Sequence, residues 1–512
     1  MNFRFDKGAF RLLNEPGLST KPTDSTSPKG RGGLFVASLA AGLMLSGCTF
    51  WNGPKFDTAT AVGALPSRWM ADGGVPGQAV TGWLDDFGSP ALRALVEEAV
   101  GQNYSLASAR SRISQAQERA RIAGADRLPA VDASVSTSRS QNLRGSEFAN
   151  TRANNFNFGL DLRWEIDLWG RIKNLRDAEL DRVASASGLY EASRLSLAAN
   201  VVKTALSVVE SQEQIEISRR TLGSLRTNLK ILDSRLEAGD LAEQAALEIS
   251  LSRADIARAE RAILLSQRQL DGSRRTLETL LGRYPEGAVA SIGGLPRISR
   301  DIPKGLPSEL LLRRPDLLAS EARVDAALKD LSASRKALLP ALSISGSVGT
   351  ASTDEFGDIF DIEKLVWAIG QNLARPLYQG GRLKANIRLD EAERDELVND
   401  YAETALTAFR EVETAIAAEK YLKSEVAALS TAVTESRRAE DLSLDEYEQG
   451  LVEIITLLES QRRAFEAESV LLAAKYALLA NRVDLYLALG GDFDHSPVDK
   501  EPVPEAAAKV RE

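Results

Sequence analysis

The sequence predicts a mainly α-helical protein with a small β part, built from two tandem structural repeats. Three observations predict this. The 18 prolines leave 130–284 and 377–496 untouched. Breakers and apolar residues recur at a constant offset of 211 positions. A strict apolar/polar alternation occupies 155–166.

Proline costs about 3 kcal/mol inside a helix, so proline-free intervals of this length permit very long helices. Within 170–237, Leu222, Leu225, Leu229, Leu232 and Leu236 step by three and four. That is a heptad seam for supercoiled helix pairs. At about 1.5 Å per residue such a helix reaches roughly 100 Å. It ends near Gly239, and the chain returns through about 242–281. The second half repeats this with 382–447, a turn near Gly450, and 453–489. Shorter helices over about 91–124 and 308–337 precede the strands.

The repeat is visible residue by residue. Leu128-Pro129-Ala130 returns as Leu339-Pro340-Ala341, Gly170-Arg171 as Gly381-Arg382, Glu237-x-Gly239 as Glu448-x-Gly450, and Leu247-Glu248 as Leu458-Glu459. In the alternating stretch Phe156, Phe158, Leu160, Leu162 and Trp164 share one face. Asn155, Asn157, Asp161, Arg163 and Glu165 share the other. This is the pattern of a membrane strand with lipid on one side and water on the other. A half-buried hairpin on a soluble sheet has the same pattern. The partner strand is 131–138, and Leu342, Ile344, Trp367, Ile369, Gln371 and Leu373 fill the matching places in the second half.

Composition removes several chemistries. One cysteine excludes an internal disulfide, and one cysteine with one histidine cannot build a Cys/His zinc or iron–sulfur site. His495 lies in the polar tail, which argues against Ser-His-Asp and Cys-His triads. A net charge of −9 without basic runs argues against nucleic acid. The pairs Glu97-Glu98 and Asp85-Asp86 read as solvated helix faces. No enzyme is expected.

The cysteine has a context of its own. Lys29 and Arg31 precede the apolar run 34–45, which Leu45-Ser46-Gly47-Cys48 follows. A basic region, a short apolar region and small residues form a secretory signal. The last four residues resemble a bacterial lipobox, in which Cys48 is lipidated and becomes the new N-terminus. Thr49 in place of Asp resembles outer-membrane sorting.

Four strands cannot close a membrane barrel, because the smallest have about eight. If they span lipid, several chains must share one barrel, and three copies would supply twelve strands.

The lipobox, the duplication, the Leu-Pro strand entries, the run Arg375-Pro376-Leu377-Tyr378-x-Gly380-Gly381-Arg382 and the terminal Leu487-Ala488-Leu489-Gly490-Gly491 together resemble the outer membrane factors of tripartite efflux systems. They resemble the TolC/OprM-like group, its NodT-type lipoproteins in particular, over about 80–490. The resemblance implies a TolC-like homotrimer with a 12-stranded transmembrane β-barrel continued by a long periplasmic α-helical barrel. It divides the chain into a signal peptide 1–47, a lipidated equatorial segment 48–90, a first repeat 91–282 with hairpin 131–166 and long helices 170–281, a connector 283–307, a second repeat 308–490 with hairpin 342–374 and long helices 382–489, and a polar tail 491–512.

The implied function is a passive duct for drugs or other solutes. It would work with a periplasmic adaptor and an inner-membrane pump, proton-driven in this reading. The only prosthetic group would be the lipid on Cys48, with no metal and no other cofactor. Ile455, Thr456 and Glu459 match the periplasmic gate, where three Glu459 carboxylates would repel one another and attract cations, leaving one partly protonated. The turns Glu237–Gly239 and Glu448–Gly450 match the tips that adaptors touch. Phe156, Phe158, Leu160, Leu162, Trp164, Trp367 and Ile369 would face lipid. Tyr447 matches a tyrosine of the TolC lock, but Val452 and Ala245 stand where its arginine and aspartate would be. Two other readings use the same residues: a type I protein-secretion duct, and a structural periplasmic coiled-coil lipoprotein.

Overall fold

A computed structural model of the chain describes residues 56–63, 65–71, 82–144, 149–238, 245–297, 307–353, 355–357 and 361–491. The signal segment, Cys48, Gly239 and the tail from 492 onward lie outside the described residues. The fold is mostly helical with one small sheet. Each half contributes helix, strand hairpin and long helix pair in the same order.

The first half begins with α1 (Pro90–Gln102) and α2 (Tyr104–Ala125). The sequence suggests one helix here, and the structure breaks it at Asn103. Asn103 Oδ1 accepts from Leu106 N at 3.0 Å, while Nδ2 donates to Leu280 O at 2.9 Å. One amide thus caps the second helix and pins the break to the end of another. Strands β1 (Ala130–Arg144) and β2 (Ala149–Ile166) follow, then α3 (Arg171–Ala238) and α4 (Ala245–Leu280).

The second half has α5 (Pro315–Lys336), strands β3 (Ala341–Ser352) and β4 (Leu365–Ala374), and helices α6 (Arg382–Glu448) and α7 (Ile454–Ala488). Helix α5 starts later than the sequence suggests. Pro315 takes the first helical position, where its missing N–H costs nothing, and the residues before it form only a short turn, Pro307–Leu310. Helices α3 and α6 run for 68 and 67 residues without interruption.

The four strands form one antiparallel sheet in the order β1-β2-β3-β4. Its middle joins the two halves through β2 and β3. Trp169 Nε1 reinforces that join by donating to Pro340 O at 2.7 Å. Among the described residues, β1 and β4 each have one neighbour only.

Two hydrophobic cores hold the helices. The larger gathers Trp83, Leu92, Leu206, Leu277, Leu317, Tyr401, Ile416 and Val483, all almost fully buried. The residues before α1 seal it: Phe56 meets Tyr401 edge-on at 5.1 Å, and Trp83 stacks on Tyr486 at 5.6 Å. The smaller lies around the α3 and α6 C-terminal ends and holds Leu225, Leu232, Tyr447, Ile454 and Leu457. Leu225 and Leu232 of the heptad seam are buried there, whereas Leu236 is exposed.

Inside the larger core region Arg482 and Glu419 form an ion pair at 2.6 Å, with side chains only 4% and 9% exposed. Glu419→Gln removes the carboxylate bonded to a buried guanidinium, so a loss of about 3–5 kcal/mol is expected, read as a lower heat-unfolding midpoint. Adding Arg482→Met should restore much of it. In the sheet, a Cβ on Gly349 would lie 2.2 Å from Phe158 O, whereas one on Gly159 meets nothing nearer than 3.8 Å. Gly349→Ala is therefore expected to lower the heat-unfolding midpoint and Gly159→Ala to leave it nearly unchanged.

Candidate functional site

Two regions carry the features that bear on function: the sheet and the ends of the long helices. Strand register sorts side chains onto two faces, because neighbours directly opposite point the same way. On one face Val131 pairs with Leu162, Val135 with Phe158, Leu160 with Val348, Val348 with Trp367, and Gly346 with Ile369. Phe156 and Trp164 lie on that same face. Trp367 and Ile369 are 72% and 73% exposed. Trp164 Nε1 donates to Arg127 O at 2.9 Å, which satisfies its polar atom at the sheet's end.

The opposite face is small and polar. Asp132, Asp161 and Ser347 lie in one row; Arg163 and Ser345 in the next; Glu165, Ser343 and Asn372 in a third. Ser134 Oγ donates to Asp161 Oδ2 and Asn157 Nδ2 to Ser136 Oγ, each at 3.3 Å.

The far end of the second half is a tight turn. Helix α6 ends at Glu448, and Gly450 takes φ 73°. Gly450 N donates to Tyr447 O at 3.0 Å and Leu451 N to Glu446 O at 2.9 Å. These bonds satisfy carbonyls at the helix end in the manner of a glycine C-cap. Glu237 is exposed near the end of α3.

The structure brings Ile455, Thr456 and Glu459 together on the first turns of α7. They line a groove of about 710 Å³ whose other wall is α6, through Glu435, Ser436, Ala439 and Ser443. Ile455 is 55% exposed, while its neighbours Ile454 and Leu457 are buried in the smaller core. Glu459 is not a bare carboxylate. It accepts from Arg462 Nε at 2.9 Å and Nη2 at 2.8 Å, and from Arg463 Nε at 2.8 Å. Hydrogen bonds from Arg462 and then Arg463 hold its carboxyl below the usual carboxylate range. Within one chain this is the reverse of the partial protonation that the acidic-ring expectation implies.

A family model for the outer membrane efflux protein matches residues 95–283 and 306–491. The chain belongs to this family. It is 35% identical to the outer membrane protein OprJ of Pseudomonas aeruginosa over 408 residues, which are 79% of this chain and 84% of OprJ. A solved membrane protein from the same species superimposes with a TM-score of 0.79 at 31% identity, covering 86% of this chain and 98% of that one. The open state of the MtrE outer membrane channel of Neisseria gonorrhoeae gives a TM-score of 0.76 at 27% identity, over 86% and 97%. This chain is an outer membrane efflux channel, and the outer membrane is its place.

Sequence reasoning missed several residues of this efflux channel. Arg462 and Arg463 stand three and four positions after Glu459, the spacing at which helix side chains meet, and that signal was available. Glu413 had no such signal. Its carboxylate accepts from Met70 N at 2.7 Å and Ala71 N at 2.8 Å, fastening the segment before α1 to α6 across 342 positions.

The lowered Glu459 carboxyl sets an expectation for acid. A carboxyl lowered in the folded state adds stability that is fully present above its ordinary value of 4.5 and is lost as pH falls through the lowered one. The heat-unfolding midpoints of wild type and Glu459→Gln should differ by a small, constant amount from neutrality down to about 4.5, and converge only below that. A difference that changes near neutrality would mean a raised value.

Proposed function

We propose that three copies of this chain form the exit duct of a tripartite efflux system. Their sheets would close a 12-stranded transmembrane barrel, and their long helices would continue it as a periplasmic helical barrel. The observation that carries this is the sheet with one apolar face and, among the described residues, two edges that no strand covers. An unpaired peptide group costs several kcal/mol in hydrocarbon, so such a sheet enters lipid only when copies complete one another's edges. Phe156, Phe158, Leu160, Leu162, Trp164, Trp367 and Ile369 would then face lipid. Large apolar side chains exposed along the helices, Leu389, Leu406 and Tyr421 on α6 and Leu264 on α4, ask for the same covering by neighbours.

The chain would anchor through a lipid on Cys48. Ile455, Thr456 and Glu459 would narrow the periplasmic end, and the turns at Glu237–Gly239 and Glu448–Gly450 would meet the adaptor. Transport through the duct is passive and involves no catalysis. An inner-membrane pump supplies the energy, and the cargo is drugs or other solutes.

Purified protein should run as a trimer in mild detergent and conduct ions in planar bilayers. A monomer that never conducts would refute the duct. Cys48→Ala should lose incorporation of radiolabelled palmitate while leaving trimer formation intact.

A further inference from the structure

At the start of α7 two guanidiniums stand against one carboxylate. Glu459 is bonded to both Arg462 and Arg463, and all three side chains stay in contact with solvent at 39%, 58% and 70% exposure. The arrangement uses both the i,i+3 and the i,i+4 positions, so neither arginine has to leave the helix surface to reach Glu459.

The duplication shows that the fold does not require these arginines. At the offset of 211, Arg462 and Arg463 correspond to Leu251 and Ser252 in α4. Ser252 is completely buried, whereas Arg463 is exposed and lines the groove. Glu248 corresponds to Glu459, so the first half keeps the acid and lacks both bases. At these two positions the second half presents exposed arginines where the first has a leucine and a buried serine.

Other charges lie close by. Glu466 is one helical turn below Arg462, and Asp255 of α4 also acts on it. Asp255 is itself paired with Arg258 at 2.8 Å. Glu435 of α6 faces Arg463 across the groove. The acids Glu435, Glu459, Glu466 and Asp255 thus meet the bases Arg462, Arg463 and Arg258, and Arg462 and Arg463 offset most of the acidic charge around Glu459.

We infer that Arg462 and Arg463 determine the charge preference of the channel at this level, cancelling Glu459 within each chain so that the narrowing does not act as an acidic, cation-selecting ring. This rests on the reading of Ile455 and Glu459 as the narrowest part of the duct. Rings of charged side chains set ion preference where a pore is tight, because the ions shed water there and feel the fixed charges at short range. An acidic ring favours cations. A ring with its acids already bonded to guanidinium passes anionic solutes as readily, or more so.

The test is the reversal potential of the full mature channel in a planar bilayer under a potassium chloride gradient. R462Q/R463Q should raise the ratio of cation to anion permeability several-fold over wild type. Glu459→Gln should lower it, and R462K/R463K should hold the wild-type ratio, separating charge from shape. These positions are exposed, so trimer yield should not change. A channel that conducts with the same ratio in wild type and R462Q/R463Q overturns the inference and leaves the duct standing. A trimer that never conducts overturns both.

Discussion

The outer strands β1 and β4 each carry a row of peptide groups that no described neighbour satisfies. In water such an edge is solvated and costs little. In hydrocarbon it is prohibitive, and the apolar face built from Phe158, Leu160, Val348, Trp367 and Ile369 makes hydrocarbon the natural medium for that face. The other features follow from this conflict. In the proposed duct, a chain that supplies only part of a barrel would have to find its own copies. The copies must be held in register, and a single sheet of this size is a weak device for that. The helices α3 and α6 would extend the contact far beyond the sheet, so that association would gain area without lengthening the strands.

The duplication makes that extension workable. Each half delivers one hairpin and one long helix pair, and the hairpins join in the middle through β2 and β3. Helices of one half and the other are then stitched by polar contacts: Lys203 to Asp484 at 2.7 Å, Gln214 to Ser469 at 2.9 Å, and Asn228 to Gln461 at 2.6 Å. Leucine and alanine supply most of the packing, and their non-directional contacts tolerate sliding. Paired amides and charges do not, because shifting a buried polar group leaves it unsatisfied. The buried Asn228–Gln461 rung therefore fixes the relative register of α3 and α7, and the two partly exposed rungs agree with it. The Arg482–Glu419 pair does the same for α6 and α7 at the level of the larger core.

The features legible in the sequence were those written in local periodicity. The strand β2 announced itself because Phe156 to Trp164 alternate without error, and α3 and α6 because proline is absent over their whole length. Boundaries inside the helical stretches were less legible. Asn103 breaks a helix through a bond to Leu280, a residue 177 positions away, and no local pattern encodes that partner. The tip residues fall between these cases. Gly450 was readable as a helix end, and Ile455 as an exposed apolar side chain only after Ile454 and Leu457 were seen to take the buried positions. The charge state of Glu459 was written in the arginines three and four residues on.

The distribution of polar groups also bears on how one duct passes unlike molecules. The polar face of the sheet carries serine, glycine and short acids, with Ser345, Ser347 and Gly349 following one another on β3 at alternate positions. Short side chains leave room and offer few simultaneous contacts, so such a face lining the proposed duct would hold no solute for long. A passive conduit gains nothing from affinity, since tight binding slows release as much as it aids entry. Selection then belongs where the passage is narrow and fixed charges come within a few ångströms of the solute. On the proposed reading that condition would be met at the start of α7, where Ile455 would add an apolar rim and Glu459 meets its two arginines. The charges there are exposed and contribute little to stability. Their worth lies in the field they present to whatever passes.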